Sequence, residues 1–210
     1  MKSNKTYKAV IYDCDGVMFD SLAANLGFYQ KVMTMMGRPP LDPDNKEQMR
    51  ILHTHANREV LAHFFPDSAD WEEAVRCAGS IDYRDLIPCM VMEDGLRETL
   101  DQLKPLVGLA VCTNRSTSMD TVLASFALTD YFGCVMTAAK VRNPKPHPEP
   151  LFKVLEHYGI GPDEALFVGD SEVDRMAADA AGIPFIAYRA ELVAFARIEK
   201  HLDILELLGW

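Results

Sequence analysis

The sequence predicts a doubly wound α/β fold with an all-helical unit inserted after the first strand. Three observations carry this. First, five short runs are almost continuously apolar: YKAVIYD (7–13), GLAVCTN (108–114), GCVMTA (133–138), ALFVGD (165–170) and IPFIAY (183–188). Such runs suit parallel strands buried on both faces, whereas one solvated face would give alternation. Second, stretches of helical spacing stand between them, the order that builds a parallel sheet. Third, about eighty residues without a strand signal separate the first run from the helix that begins near 95. That is far longer than an ordinary connection from strand to helix.

In chain order, the first strand runs into Asp13. Leu22, Leu26, Tyr29, Met33 and Met36 then step by three and four, which is one face of a helix. Val60, Leu61, Phe64 and Phe65, and then Trp71, Ala74, Val75 and Ala78, predict further helices. GRPPLDP (37–43) and FPDSAD (65–70) are the turns between them. The expected division is a core of residues 1–19 and 91–210 and a helical cap of residues 20–90. Within the core, apolar faces predict three more helices: Leu96, Leu100 and Leu103; Met119, Val122, Leu123 and Phe126; and Leu151, Val154, Leu155 and Tyr158. A fourth is expected from Val173, Met176, Ala177 and Ala180. Gly159, Gly161 and Gly182 stand where helix stop signals belong. Residues 190–210 read as a closing helical segment, with Leu202, Leu205 and Leu208 on the core.

Composition narrows the function classes. The 210 residues carry a net charge of −10 and no Lys/Arg run. That argues against non-specific nucleic-acid binding, which needs a cationic face. Apolar runs stay far short of the roughly 18 residues a membrane span requires. The opening MKSNKTYK lacks the apolar segment of a signal peptide. Five cysteines, Cys14, Cys77, Cys89, Cys112 and Cys134, form no CxxC pair and no zinc spacing. They read as reduced thiols of a cytoplasmic protein.

Ligands of an open parallel sheet bind beyond the carboxyl ends of its strands. Asp13 and Asp15 follow the first strand, Thr113 and Asn114 the second. Lys145, in RNPKPHPEP, follows the third, and Asp170 and Asp174, in GDSEVD, follow the fourth. Each alone is ordinary: a solvated turn, a helix cap, an exposed lysine. Together they bring acids, a hydroxyl and an amine to one edge. Clustered carboxylates repel one another and need a cation, and oxygen ligands suit Mg²⁺. A lysine offsets the charge of a bound phosphoryl group. One carboxylate can then attack phosphorus, while a second, two residues on, moves the proton.

These residues resemble the haloacid dehalogenase superfamily, and specifically its phosphoglycolate phosphatase and β-phosphoglucomutase branch. DxDGV at 13–17, Thr113 in VCTN, Lys145 in NPKPHPEP and GDSEVD at 169–174 are similar to its four motifs, in order and along essentially the whole chain. The resemblance implies a Rossmann-like core and Asp13 as nucleophile and Mg²⁺ ligand. It implies Asp15 as general acid/base with its carbonyl on the metal, and Thr113 and Lys145 as phosphoryl-binding groups beside Asn114. Asp170 would hold the metal, and Asp174 would support the metal water or Lys145. An acid at position 15 points to phosphate esters, since the dehalogenases and phosphonatases of the superfamily lack one there. The implied activity is an Mg²⁺-dependent phosphatase for a small-molecule phosphate ester, working through an aspartyl-phosphate. A phosphosugar mutase and a non-catalytic binding protein stay open as alternatives. Arg38, His53, His55 and Arg58 are candidate cap contacts, though each taken singly reads first as a solvated or structural residue, and His157 and His201 read as helix-surface residues. MEDG (92–95) departs from the Pro-Gly pair common in the branch, so a small change is expected at the return from the cap.

Overall fold

A computed structural model describes residues 7–209. Most of the opening MKSNKTYK, together with Trp210, lies outside the described residues. β1 (Ala9–Tyr12) is wholly buried. One tight turn follows, in which the Met18 and Phe19 N–H groups donate to the Cys14 carbonyl. It leads into the two-residue β2 (Phe19–Asp20). Four helices come next: α1 (Leu22–Met35), α2 (Lys46–Thr54), α3 (Asn57–Phe64) and α4 (Ser68–Ser80). Asn45 and Asp67 cap α2 and α4 by accepting from backbone N–H groups, which satisfies donors the helices leave free. The helices enclose an apolar cluster of their own that includes Tyr29, Val32, Leu52, Val60, Leu61 and Phe65. The chain returns through β3 (Val91–Met92), which pairs antiparallel with β2, Phe19 opposite Met92.

The remainder alternates: α5 (Leu96–Leu103), β4 (Gly108–Thr113), α6 (Met119–Ser125), β5 (Cys134–Thr137), α7 (Glu149–Tyr158), β6 (Ala165–Gly169), α8 (Glu172–Ala181) and β7 (Phe185–Tyr188). β8 (Ala196–Ile198) and α9 (Asp203–Leu208) close the described chain. Six strands form one parallel sheet in the order β5-β4-β1-β6-β7-β8. Successive residues of β1 face opposite ways. Val10 and Tyr12 join one apolar cluster, with Leu96, Leu100 and Val122. Ala9 and Ile11 join the other, with Leu151, Val154 and Ala177. Burial on both faces explains the unbroken apolar run. Gly159 and Gly182 end α7 and α8 with φ of 64° and 72°, the left-handed conformation that glycine enters without a Cβ clash. No helix among the described residues is long and apolar enough to cross a membrane.

Four details differ from expectation. The interval after β1 does contain strand: β2 and β3 are too short for a periodic signal. The closing segment is not all helix, because Ala196–Ile198 adds a sixth strand beside β7, and Ile204 is the fully buried residue of α9. His201 is fully buried rather than on a helix surface. Its ring stacks on Tyr188 with centroids 4.5 Å apart, and its Nε2 lies 2.9 Å from the Val17 carbonyl. The buried face of α8 is Asp174, Ala177, Ala178 and Ala181, one position round from the Val173–Met176 stripe. At MEDG, Glu93 accepts from Tyr188 Oη at 3.1 Å and Arg189 Nη1 at 2.6 Å, fastening the return strand to the end of β7.

Candidate active site

β1 lies between β4 and β6, and the chain builds the sheet outward on either side of it. A crevice at such a switch point is where an open parallel sheet binds ligands. Tyr12 stands opposite Val111 and Val168 in register. Asp13, Thr113 and Asp170 therefore leave the sheet within two residues of the same level. The loop after β5 brings Lys145 back to that edge. Lys145 is 2% exposed, and its Nζ lies 2.8 Å from Asp13 Oδ1. It also donates to Asp174 Oδ1 at 2.5 Å and to the Cys112 carbonyl at 2.9 Å, which uses all three ammonium protons. Asp174 Oδ2 accepts from the Ser171 N–H and hydroxyl. A Cβ at Gly169 would sit 2.5 Å from the Asp174 Cβ, so only glycine lets this helix approach so closely. Thr113 Oγ1 accepts from the Arg115 N–H at 3.1 Å, which leaves its own proton free to donate.

Negative charge is in excess here. Burial, and after it Asp174, push the Asp13 carboxyl up to about 8 against the pull of Lys145. Burial alone would lower His53, yet Asp170, Asp15 and Asp13 raise it to about 9. Burial would also strip Lys145 of its proton, but Asp13 and Asp174 hold it charged. Oxygens of Asp13, Asp170 and Asp174 lie within 4.8 Å of one another. Asp174 has spent both of its own on Lys145 and Ser171, so Asp13 and Asp170 are the better cation ligands. A hard-oxygen donor set with surplus negative charge fits Mg²⁺.

Asp15 occupies a different environment, and it rests on a residue outside the four motifs. Arg115 grips it with Nε 2.9 Å from Oδ2 and Nη2 2.5 Å from Oδ1. Ser21 Oγ donates to Oδ1 as well, and so does Asn25 Nδ2 at 3.2 Å. Burial would raise the Asp15 carboxyl, but the charge and hydrogen bonds of Arg115 outweigh it and hold it below its ordinary value. The one sequence signal for Arg115 is a cation two residues after Thr113. Its burial depends on Tyr83, whose ring lies 4.8 Å from the guanidinium, and on Ser118, which accepts from Nη1.

The site opens into a cavity of about 430 Å³ between the strand ends and the helical insertion. His53, His55 and Arg58 line it, with Asn114 and Arg115 opposite. His53 Nε2 reaches to 3.7 Å from Asp170 Oδ2. Arg38 is elsewhere, paired on the surface with Asp70. Asn114 donates through Nδ2 to the Thr54 carbonyl at 3.2 Å and the Lys145 carbonyl at 3.0 Å, so its amide ties α2 to the lysine loop.

A parallel α/β sheet with acids, a threonine and a lysine at its strand ends defines a hydrolase-type site, and comparison with known proteins gives the family. The haloacid dehalogenase-like hydrolase family model matches residues 10–188, and the chain belongs to that family. The phosphoglycolate phosphatase of Escherichia coli (strain K12) is 33% identical over 160 residues, covering 72% of this chain and 53% of that protein. The chain thus spans about half the length of the curated relatives it matches. A HAD-superfamily hydrolase, subfamily IA, variant 1, from Geobacter sulfurreducens PCA is 70% identical, with a TM-score of 0.79 over 99% of both chains. CbbY from Rhodobacter sphaeroides, solved in complex with phosphate, shares the fold at 18% identity, with a TM-score of 0.84 over 98% of this chain and all of that one.

Proposed function

We propose that the protein is an Mg²⁺-dependent phosphatase of a small phosphorylated metabolite, acting through an aspartyl-phosphate on Asp13. The observation that carries this is the buried Lys145 held between Asp13 and Asp174 at the switch point. Asp13 Oδ1 faces Lys145, which leaves Oδ2 to attack phosphorus. Lys145 and the free Thr113 hydroxyl proton take up negative charge on the phosphoryl oxygens. Asp15 gives the departing ester oxygen the proton that it took from water at the end of the previous turnover. Water then attacks the phosphorus, the bond to Asp13 breaks, and Asp15 takes the water proton. Asp13, Asp170 and the Asp15 carbonyl would hold Mg²⁺, which supplies positive charge against the same phosphoryl oxygens.

On this reading residues 20–90 act as a cap over a core of 1–19 and 91–210. The separate apolar cluster of the helices and the paired legs β2 and β3 support that division. The similarity to phosphoglycolate phosphatases favours a small anionic ester in the cytoplasm, and His53 and Arg58 give the cavity cationic groups for it.

The test is a phosphate-release screen over phosphorylated metabolites, with and without Mg²⁺, on the parent and Asp13→Asn. Metal-dependent release by the parent alone is expected. An Asp13→Asn protein as fast as the parent would sink the nucleophile. Glucose 6-phosphate formed from β-glucose 1-phosphate, without free phosphate, would show a mutase instead.

A further inference from the structure

We propose that Arg115 is a positioning residue that holds Asp15 as the proton acceptor for hydrolysis of the phosphoenzyme, with Oδ2 as the accepting atom. The inference rests on the phosphatase reading above and adds a residue that none of its motifs contains.

The hydrogen bonds on Asp15 are asymmetric. Oδ1 accepts from Ser21 Oγ, from Asn25 Nδ2 and from Arg115 Nη2. Oδ2 accepts only from Arg115 Nε among the described residues. A carboxylate oxygen offers about two lone-pair sites. Oδ1 is therefore filled, and Oδ2 keeps room for one more proton donor. A planar guanidinium that grips both oxygens also fixes the plane of the carboxylate, which the point charge of a lysine does not.

Arg115 is itself held from several sides. Its Nη1 donates to Ser118 Oγ at 3.2 Å and its Nη2 to Asn25 Oδ1 at 3.1 Å, with the Tyr83 ring against the guanidinium. It is 8% exposed. Ser118 belongs to the segment after β4, whereas Asn25 lies on α1 and Tyr83 follows α4. Asp15 is thus set by groups that meet only when the helical insertion is seated against the strand ends.

The step balances. A water oxygen bonds to phosphorus as the bond from phosphorus to the Asp13 oxygen breaks. The water proton passes to Asp15 Oδ2, Asp13 returns as a carboxylate, and inorganic phosphate leaves.

p-Nitrophenyl phosphate isolates this step, because its phenolate departs without a proton. In Arg115→Ala, transfer to Asp13 should continue while phosphoenzyme hydrolysis slows by about 10²-fold, within the range general-base groups supply. Stopped-flow release of nitrophenol should show a burst stoichiometric with enzyme, larger than in the parent, and acid quench should trap the phosphoenzyme. Arg115→Lys should recover part of the steady-state rate and added guanidinium part of that of Arg115→Ala. Asp15→Asn combined with Arg115→Ala should be little slower than Asp15→Asn alone.

Burst and steady-state rates that fall together, without phosphoenzyme, would reduce Arg115 to a structural role and overturn the proposal. An unchanged or faster steady state would overturn it too, showing that the guanidinium restrains Asp15. Neither result touches the phosphatase reading, which fails only if the parent releases no phosphate or Asp13→Asn releases it equally.

Discussion

His201 shows how one buried side chain links the segment before α9 to the turn after β1. Its Nε2 donates to the Val17 carbonyl, four residues after Asp13, and its ring lies between Tyr188 and Tyr12. Nδ1 has no partner, so the neutral form that burial favours carries its proton on Nε2. Burial, against the smaller opposing effect of the Val17 hydrogen bond, lowers it to about 4 from 6.5. The unfolded chain therefore takes up this proton first as the pH falls. His201 contributes stability fully above about 6.5 and loses it as the pH drops towards 4, by about 3 kcal/mol in all. Denaturant titrations of the parent and His201→Phe across that range should converge as the pH falls. Parallel curves would refute the assignment. The burial of His201 could not be read from EKHLDILELLGW, since the ring's partners lie in β1, β7 and the Val17 turn. Arg115 was hidden for the same reason. Its position after Thr113 was plain, but its partners Asn25 and Tyr83 come from the insertion.

Among the elements, α8 ties local sequence signals to the chemistry most closely. Ser171 caps it by accepting from the Asp174 N–H at 3.2 Å, and its hydroxyl donates back to Asp174 Oδ2 at 2.5 Å. The cap satisfies a helix terminus and also fixes the carboxylate that holds Lys145. Ser171→Ala should cost about 1 kcal/mol of stability, as lost N-caps do. It should also lower kcat with little change in KM, because Asp174 loses a donor while the cavity walls stay intact. Chemical denaturation and steady-state kinetics on one preparation check both. A stability loss with unchanged kcat would confine Ser171 to capping. GDSEVD was legible as a strand end and cap. The buried face of α8 was not, because an acid takes the place facing the sheet and shifts the apolar stripe by one position.

For the whole molecule, two apolar clusters flank the sheet and a third fills the helices of the insertion. Among the described residues, two partly buried side chains, Phe28 and Ile81, pack against both the third cluster and the first, and Ala24, Leu86 and Met90 belong to the first. The separate apolar cluster of the insertion predicts two cooperative units. Amides of α2, α3 and α4 should exchange together, ahead of those in β1, β4 and β6. Leu61→Ala, at a site 1% exposed, should destabilise the insertion by about 2–5 kcal/mol. Hydrogen exchange should then quicken in those helices and not in the central strands. Acceleration spread evenly through the sheet would mean a single unit.

The parallel core, the helical insertion and the order in which Asp13, Asp15, Thr113, Lys145 and Asp170 reach the strand ends are all written in the amino-acid sequence. Those properties are local, set by apolar periodicity and by the residues placed directly after each strand. How the charges pair is set by the folded chain. Lys145 meets Asp13 and Asp174, Arg115 takes Asp15, and His53 comes from α2 to face Asp170. Ion pairing in a buried site depends on distances between groups a hundred residues or more apart in the chain, as Asp15 and Arg115, His53 and Asp170, and Asp13 and Lys145 are. Such distances exist only once the sheet has closed and the insertion has settled on its edge.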